Sequence, residues 1–266
     1  MGGKQIVSDA VDYTEVPHLQ ELSGYLPIEP DDEEDVVNYI QNITNLIAIN
    51  YKYDHYQFAY FGVHLLYMTY IYCTAWKTGQ IEPRRYNDAI VFARAYNGRE
   101  KDLKIKDANS IFAYSLIPEK DIAKLFKIID LDESQISIVS NLVDIRNEMA
   151  HASGKFEILT DEIFDAKTHN VITSMKNIHK CMGPLIREWF EHLLIDFCEG
   201  KHDGYDNPYD VISELMVQSF KLSTNELLVC NEMSINAIIE KHRAYQSKLK
   251  NFKKAMRKYC EERGYV

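Results

Sequence analysis

Residues 58–76 read FAYFGVHLLYMTYIYCTAW, a stretch of nineteen residues without Asp, Glu, Lys or Arg. A helix of this length could cross a membrane. However, His64, Gly62 and four tyrosines lower its hydrophobicity, and no second span or flanking basic cluster accompanies it. We therefore predict a helix buried in the core of the protein, with no membrane contact. We expect His64 to be a structural histidine whose hydrogen bonds are satisfied.

Helical patterns continue on both sides of this stretch, whereas alternating strand patterns are nearly absent. The pairs Asp31–Glu34, Asp132–Gln135 and Ser223–Glu226 match capping boxes and mark helix starts. The fold class is therefore predicted to be all-α. Three predicted helices begin at residues 31, 132 and 223. Further helices are predicted over 51–78, 83–97, 107–116, 118–129, 161–197, 207–221 and 235–262, and a small turn or hairpin is predicted at 155–160.

Breaks in these patterns divide the chain into three regions. Proline and glycine interrupt any long helix in residues 1–30, which we expect to form an irregular N-terminal segment. Residues 31–200 are predicted to form an up-and-down helical bundle. A polar run at 199–204 ends the bundle, and residues 205–266 are predicted to form a helical C-terminal extension with a basic last helix.

The charge of the chain is unevenly distributed. Its net charge of −10 argues against a nucleic-acid-binding surface over the whole protein. Residues 1–50 carry a net −9, whereas residues 241–266 carry a net +7. The last helix has a basic stripe that is either a solvated face, a contact for RNA phosphates or a surface for an acidic partner. The candidate RNA-binding residues of this stripe are Lys250, Lys253, Lys254, Arg257 and Lys258.

The spacing of the cysteines and glycines argues against zinc sites, phosphate-binding loops and the GxSxG nucleophile. The five cysteines form no CxxC pair, and together with the histidines they match no zinc-binding spacing. Glycine-rich phosphate loops and the GxSxG nucleophile motif do not occur. We therefore predict no metal, no cofactor and free thiols. Because residues 1–10 do not resemble a signal peptide, we expect a cytoplasmic location.

Residues 144–151 read DIRNEMAH and gather Arg, Asn, His and two carboxylates in an otherwise apolar helix. On a regular helix, four of them share one face because of their spacing. They are Asp144, Asn147, Glu148 and His151. Arg146 lies about 140° around the helix from His151, so its guanidinium would have to turn towards that face or reach across a dimer. An imidazole and a guanidinium suit cleavage of an RNA phosphodiester, because one moves protons near neutral pH and the other stabilises charge on phosphate oxygens.

A second Arg-x4-His pattern occurs at Arg187 and His192. It lies inside a long amphipathic helix, where Trp189 and Phe190 are expected to be core residues. The first pattern has Asn147, a favourable polar residue, directly after its arginine, and it lies just before a run of small residues that ends its helix. We therefore place the candidate site at the first pattern.

The pattern Arg146-Asn147-x3-His151 resembles the Arg-polar-x3–5-His signature of the HEPN superfamily. The resemblance implies that the bundle is HEPN-like and that the protein is a metal-independent endoribonuclease of a prokaryotic toxin or anti-phage defence system. It also implies a homodimer, in which two copies of the motif form one composite site, and an antitoxin or other regulatory partner. Arg146 would stabilise the transition state, Asn147 would position groups, and His151 would act as acid or base. The carboxylates Asp144 and Glu148 would support them.

Two alternatives from other classes stay open. The first is a non-catalytic HEPN-like module that binds a nucleotide, RNA or a protein. The second is a structural helical adaptor, in which Arg146 and His151 lie apart or form ordinary salt bridges at a helix end.

Overall fold

In a computed structural model of the chain, the described residues are 15–27, 34–90, 110–150, 158–202 and 204–266. All regular structure within these ranges is helical, which confirms the all-α prediction. The α-helices are α1 (Leu19–Ser23), α2 (Glu34–Lys52), α3 (Tyr56–Ile81), α4 (Pro83–Ile90), α5 (Glu119–Leu125), α6 (Glu133–Ala150), α7 (Asp161–Glu199), α8 (Pro208–Asp210), α9 (Thr224–Glu232), α10 (Asn236–Lys241) and α11 (Gln246–Glu262). Short 3-10 helices cover Ile111–Leu116, Phe126–Ile129 and Arg243–Tyr245, and a π-helix over Val211–Ser219 continues α8.

The apolar stretch forms the middle of α3 and is largely buried, as predicted, although Phe58 at its start is exposed. Tyr67 and Tyr70 have at most 2% of their surface exposed. The Tyr67 hydroxyl lies 2.9 Å from Oγ of Ser174, and the Tyr70 hydroxyl donates to the backbone oxygen of Met175 at 3.0 Å. Both partners belong to α7, so these phenols pack α3 against α7 while their hydroxyls are satisfied. Within the described ranges, no helix combines the length and the apolar character needed to cross a bilayer.

The helices of the bundle are arranged around α3. α2 packs along one side of it and α7 along another, and α4, α5 and α6 contact it as well. Gly62 allows the close approach of α2, since a Cβ at this position would lie 2.5 Å from Cγ1 of Ile47. Ile47 is fully buried there. Gly62 is therefore required by helix packing rather than by a turn.

The long helix predicted over 161–197 is confirmed as α7, which has 39 residues. At its start the Thr160 hydroxyl accepts a hydrogen bond from the backbone N–H of Ile163. At its end Gly200 adopts a left-handed conformation with φ of 71°, which glycine permits without strain. Pro184 lies inside the helix, where it removes one backbone donor, and the helix continues past it.

The C-terminal helices pack on the bundle. α9 and α11 contact α7, and their apolar side chains join the same buried cluster as those of the bundle. Phe252 of α11 has its ring centroid 6.0 Å from that of Phe190 and 5.3 Å from that of Phe197, both on α7. Elsewhere, Lys77 of α3 forms an ion pair with Glu226 of α9, and both side chains are at most 3% exposed. Apolar contacts and a buried charge pair thus hold the extension in place.

Three helix boundaries differ from the predicted ones. A helix is predicted to start at Tyr51, but α2 still includes that residue and α3 begins at Tyr56, because Asp54 has φ of 60° and separates the two helices. The same helix is predicted to stop at Gly79, but it runs on to Ile81. A Cβ on Gly79 would lie 3.4 Å from the Tyr86 ring, so this glycine serves a packing contact with α4 instead of ending the helix.

The third difference concerns the last predicted helix, over 235–262. It is divided into α10 and α11 because His242 leaves the helical conformation, with φ of −127° and ψ of 56°. In the N-terminal segment, expected to be irregular, the described part contains α1, whose Leu19 and Leu22 are buried. The predicted helix start at residue 31, the helical residues 91–97 and 107–109 and the turn at 155–157 lie outside the described residues.

Candidate functional site

Arg146, the arginine of the predicted motif, contacts α5 from the second half of α6. α6 follows Asp132, whose Oδ1 accepts a hydrogen bond from the backbone N–H of Gln135 at 2.9 Å, as the predicted N-cap requires. Towards the other end of α6, Nη2 of Arg146 donates to Oε2 of Glu119 in a direct ion pair. The exposed fraction is 22% for the Arg146 side chain and 19% for that of Glu119. A half-buried carboxylate therefore fixes the guanidinium.

Glu119 is positioned by the short helix α5. Pro118 is its N-cap residue, so Glu119 lies in the first turn, where the helix dipole favours a carboxylate. α5 packs against both α6 and α3. The next residue, Lys120, pairs with Asp144 of α6 at 2.5 Å, and both side chains are exposed. Two neighbouring ion pairs thus connect α5 to α6, one half-buried at Arg146 and one exposed at Asp144.

The other motif residues lie on the same helix. α6 is α-helical to Ala150, so Asp144, Asn147 and Glu148 have the helical spacing of the predicted common face. Asn147 is half-buried and Glu148 is exposed. His151, the predicted acid or base, lies outside the described residues. The described part of the predicted site is therefore Asp144, Arg146, Asn147 and Glu148, of which Asp144 and Arg146 form ion pairs with α5.

A core histidine lies directly behind the Arg146–Glu119 pair. His64 of α3 is 0% exposed, and its Nε2 lies 3.7 Å from Oε2 of Glu119, the same atom that Arg146 contacts. This distance is too long for a hydrogen bond. Neither ring nitrogen of His64 has a hydrogen-bond partner among the described residues, and neither has Nε of Arg146. Among the described residues, the expectation that the hydrogen bonds of His64 are satisfied is therefore wrong, because the Glu119 oxygen lies about 0.5 Å beyond hydrogen-bond distance. We call His64, Glu119 and Arg146 the His–Glu–Arg cluster.

Burial and charge set the protonation states of this cluster. Burial lowers the pKa of His64 from its ordinary value of 6.5; Glu119 partly opposes this effect, and the charge of Arg146 adds to it. His64 is therefore neutral at pH 7. Burial raises the pKa of Glu119, but His64 and Arg146 together outweigh burial, so the pKa lies below its ordinary value of 4.5. At pH 7 the cluster holds a carboxylate, a guanidinium and a neutral imidazole.

The protein should lose stability in mild acid because of His64. Its pKa is lower in the folded than in the unfolded protein, so the unfolded chain takes up a proton first as the pH falls below about 6.5. The stabilising contribution is complete above that pH and is lost below it, by at most about 1.4 kcal/mol per pH unit. Urea unfolding at several pH values from 8 to 5 should give a steeper loss for the wild type than for His64→Gln. Equal slopes would contradict a neutral, desolvated His64.

Two residues of the His–Glu–Arg cluster, His64 and Glu119, lie outside the predicted motif. The sequence holds a partial signal for Glu119, because Glu119-Lys120 and Asp144-x-Arg146 carry opposite charges that can form two pairs once α5 and α6 are neighbours. The signal for His64 is weaker. It is a basic side chain within a run that otherwise lacks charge.

The structure gives intramolecular partners to three of the five cations in the predicted basic stripe. Lys253 donates to the backbone oxygens of Cys230, Asn231 and Met233, at the end of α9. It thereby satisfies carbonyls that a helix end leaves open, and its burial lowers its pKa. Arg257 pairs with Glu261 at 2.8 Å and Lys258 with Glu262 at 3.4 Å, one turn along α11.

Lys250 and Lys254 are the exposed members of the stripe for which the described residues provide no ion pair. Together with Lys253 and Arg257 they line a surface groove of about 710 Å³. Asn231 and Glu261 also line this groove. The stripe therefore offers an anion two exposed ammonium groups without an ion pair among the described residues, whereas the exposed cations Arg257 and Lys258 already pair with carboxylates.

The second Arg-x4-His pattern lies within α7. Arg187 and His192 are both exposed, in the middle of a continuous helix. Phe190 is buried and Trp189 is half-buried, with its ring stacked 3.9 Å from that of Phe220. These two aromatic side chains are core residues, as predicted, and the preference for the first pattern is unchanged.

The cysteines and acidic residues form no recognisable metal centre in the part of the chain that the structure describes. No three His, Cys, Asp or Glu side chains there are arranged to hold a metal ion. All five cysteines are free thiols in the structure. No protein-family model matches the chain, and no significant similarity to a curated protein or to a solved structure was found.

Proposed function

We propose that this protein is a metal-independent endoribonuclease of the HEPN type that acts in a prokaryotic toxin or anti-phage defence system. The observation that carries the proposal is Arg146, half-buried near the end of a bundle helix and held there by Glu119. A guanidinium has five N–H donors, and the contact with Glu119 involves one of its three nitrogens. Arg146 therefore keeps donors for the oxygens of an RNA phosphate.

In the proposed reaction, a ribose 2′-hydroxyl attacks the adjacent phosphorus and the bond from phosphorus to the 5′-oxygen breaks. His151 would accept the hydroxyl proton as a base or donate a proton to the leaving 5′-oxygen as an acid. Arg146 would stabilise the charge that develops on the phosphate oxygens, and Asn147 would hold an imidazole or a phosphate oxygen. The products are a 2′,3′-cyclic phosphate and a 5′-hydroxyl.

We further propose that the active form is a homodimer with α6 at its interface, so that two motifs form one composite site. Free endoribonuclease activity is toxic to a cell, so this function requires control by an antitoxin or another regulatory protein. The proposed location is the cytoplasm, where RNA substrates and such a partner are present. Of the predicted basic stripe, Lys250 and Lys254 are the residues best placed to contact the RNA backbone, since both are exposed and neither has an ion pair among the described residues.

Cleavage of a mixed panel of RNAs by the purified protein in EDTA tests the function. The wild type should cleave and leave cyclic-phosphate ends, because no metal takes part in the proposed chemistry. His151→Ala should be inactive although folded, as judged by circular dichroism. Activity that EDTA abolishes, or that His151→Ala retains, would contradict the proposed mechanism.

The ion pair of Arg146 with Glu119 is also what the structural helical adaptor predicts, because an ordinary salt bridge can serve the packing of α5 against α6. A non-catalytic HEPN-like module that binds RNA, a nucleotide or a protein is the second candidate function, and in it the pair would have the same packing role. The same panel separates the two candidates. A folded wild type that binds RNA without cutting it, and binds equally well as His151→Ala, would support the module.

A further inference from the structure

One carboxylate oxygen of the His–Glu–Arg cluster faces two nitrogen groups. Oε2 of Glu119 is in direct contact with Arg146 and lies 3.7 Å from Nε2 of His64. The charged groups that act on His64 from the neighbouring helices are Glu119 on α5 and Arg146 on α6. On α3 itself, the Tyr67 ring centroid lies 6.2 Å away. While His64 is neutral, the charges of Glu119 and Arg146 cancel.

An anion that pairs with Arg146 disturbs this balance in two ways. It brings a second negative charge next to the Glu119 carboxylate, in a half-buried setting where repulsion between like charges is strong. It also offsets the positive charge of Arg146, which otherwise disfavours a proton on His64. Both effects favour an imidazolium at His64. A shift of about 0.5 Å would bring its Nε2 within hydrogen-bond distance of Glu119.

We propose that His64 couples the binding of an RNA phosphate at Arg146 to the uptake of one proton. When the phosphate pairs with Arg146, the neutral imidazole of His64 takes a proton from solvent and forms an ion pair with Glu119. Glu119 has 19% of its side chain exposed and connects His64 to solvent. This inference deepens the proposed function and rests on it, because the anion is the RNA substrate. His64 is thus a positioning residue that acts through Glu119.

Proton uptake on binding provides the test. The probe is an RNA oligonucleotide with 2′-fluoro sugars, which cannot be cleaved by 2′-hydroxyl attack and whose phosphodiesters do not titrate near neutral pH. The protein carries His151→Ala, so the other imidazole of the motif does not contribute. Titration calorimetry in buffers of different ionisation enthalpy counts the protons. We expect uptake approaching one proton per site, and a Kd that falls by up to tenfold for each pH unit from 8 to 5.5.

Variants assign the proton to His64. Adding His64→Gln should abolish the uptake and make the Kd independent of pH. Glu119→Gln should do the same, since a neutral amide cannot pair with the imidazolium, and it serves as the second test where His64→Gln does not fold. A purely structural role would weaken binding equally at every pH. Uptake that persists in both variants would overturn the proposal.

His179 offers a matched control. It is also largely buried with a lowered pKa, but it lies near Lys77 and Glu226, with its ring 5.6 Å from that of Tyr25. Because it is not part of the His–Glu–Arg cluster, His179→Gln should leave the uptake unchanged. Loss of proton uptake in this variant would show that His179, and not His64, takes up the proton, and it would overturn the proposed role of His64.

Cleavage by the wild type in EDTA is measured separately, so the two proposals can fail independently. If the wild type cleaves RNA but the Kd for the oligonucleotide does not depend on pH, the proposed coupling is overturned and the proposed endoribonuclease activity stands. If proton uptake depends on His64 but the wild type cleaves no RNA, the proposed endoribonuclease activity is overturned and the proposed coupling stands. A folded protein that binds no oligonucleotide at any pH would overturn the coupling.

Discussion

Replacing Glu226 by Leu should lower the free energy of unfolding by about 3–5 kcal/mol. The Lys77 side chain is 1% exposed and would lose its carboxylate, keeping only the Lys221 backbone oxygen at 3.4 Å among the contacts described for its ammonium. An unpaired charge in the core is costly. Glu226 also accepts a hydrogen bond from the backbone N–H of Ser223 at 2.9 Å, so the capping box of α9 would be lost as well. Urea unfolding followed by circular dichroism measures the change.

Two further variants make this result specific. Lys120→Ala breaks the exposed pair with Asp144 and should cost at most about 1 kcal/mol, because solvent screens exposed charges. The double variant Lys77→Met/Glu226→Leu should be more stable than either single variant, since it leaves no unpaired charge behind. A Glu226→Leu protein within about 1 kcal/mol of the wild type would contradict a desolvated ion pair.

Replacing Arg146 by Ala should lower kcat/KM for RNA cleavage by about 10²–10³-fold. The guanidinium is the group that the proposed mechanism uses to stabilise charge on the phosphate oxygens. Arg146→Lys should restore only part of the activity, because an ammonium is a point charge without the planar fork of donors. Initial rates with a fluorescent RNA substrate, under conditions where each variant is folded, measure the effect.

Arg187→Ala is the matched control for Arg146→Ala. Both arginines belong to an Arg-x4-His pattern, but Arg187 is exposed on α7, while Arg146 is held by Glu119. Arg187→Ala should cleave RNA at the wild-type rate. The opposite outcome, with Arg187→Ala inactive and Arg146→Ala active, would move the site to α7 and contradict the choice of motif.

Helical periodicity and capping residues are sufficient to predict the all-α class and the positions of several helices. α3 and α7 follow from long apolar patterns, and the starts of α6 and α9 follow from the capping residues Asp132 and Ser223. These signals are local, so they can be recognised without knowing which helices are neighbours. The boundary at Gly79 could not be predicted, because this glycine is required by the ring of Tyr86 and not by a turn.

The candidate site is less accessible from the sequence, because its chemistry depends on packing. The motif identifies Arg146 as a functional candidate, but its contact with Glu119 arises only when α5 lies against α6. His64 joins the cluster from a third helix. The basic stripe shows the same limitation. Lys253 looks like a ligand for phosphate in the sequence, whereas in the fold it satisfies the carbonyls at the end of α9.

The 39-residue helix α7 takes part in the packing of both regions of the chain. It extends over about 59 Å, and it packs against α3 through Ser174 and Met175 and against α11 through Phe190 and Phe197. Because one continuous helix supplies side chains to both contacts, the extension is not an appendage that can be removed without consequence. Truncation before residue 205 would expose the aromatic face of α7 to water, which favours aggregation.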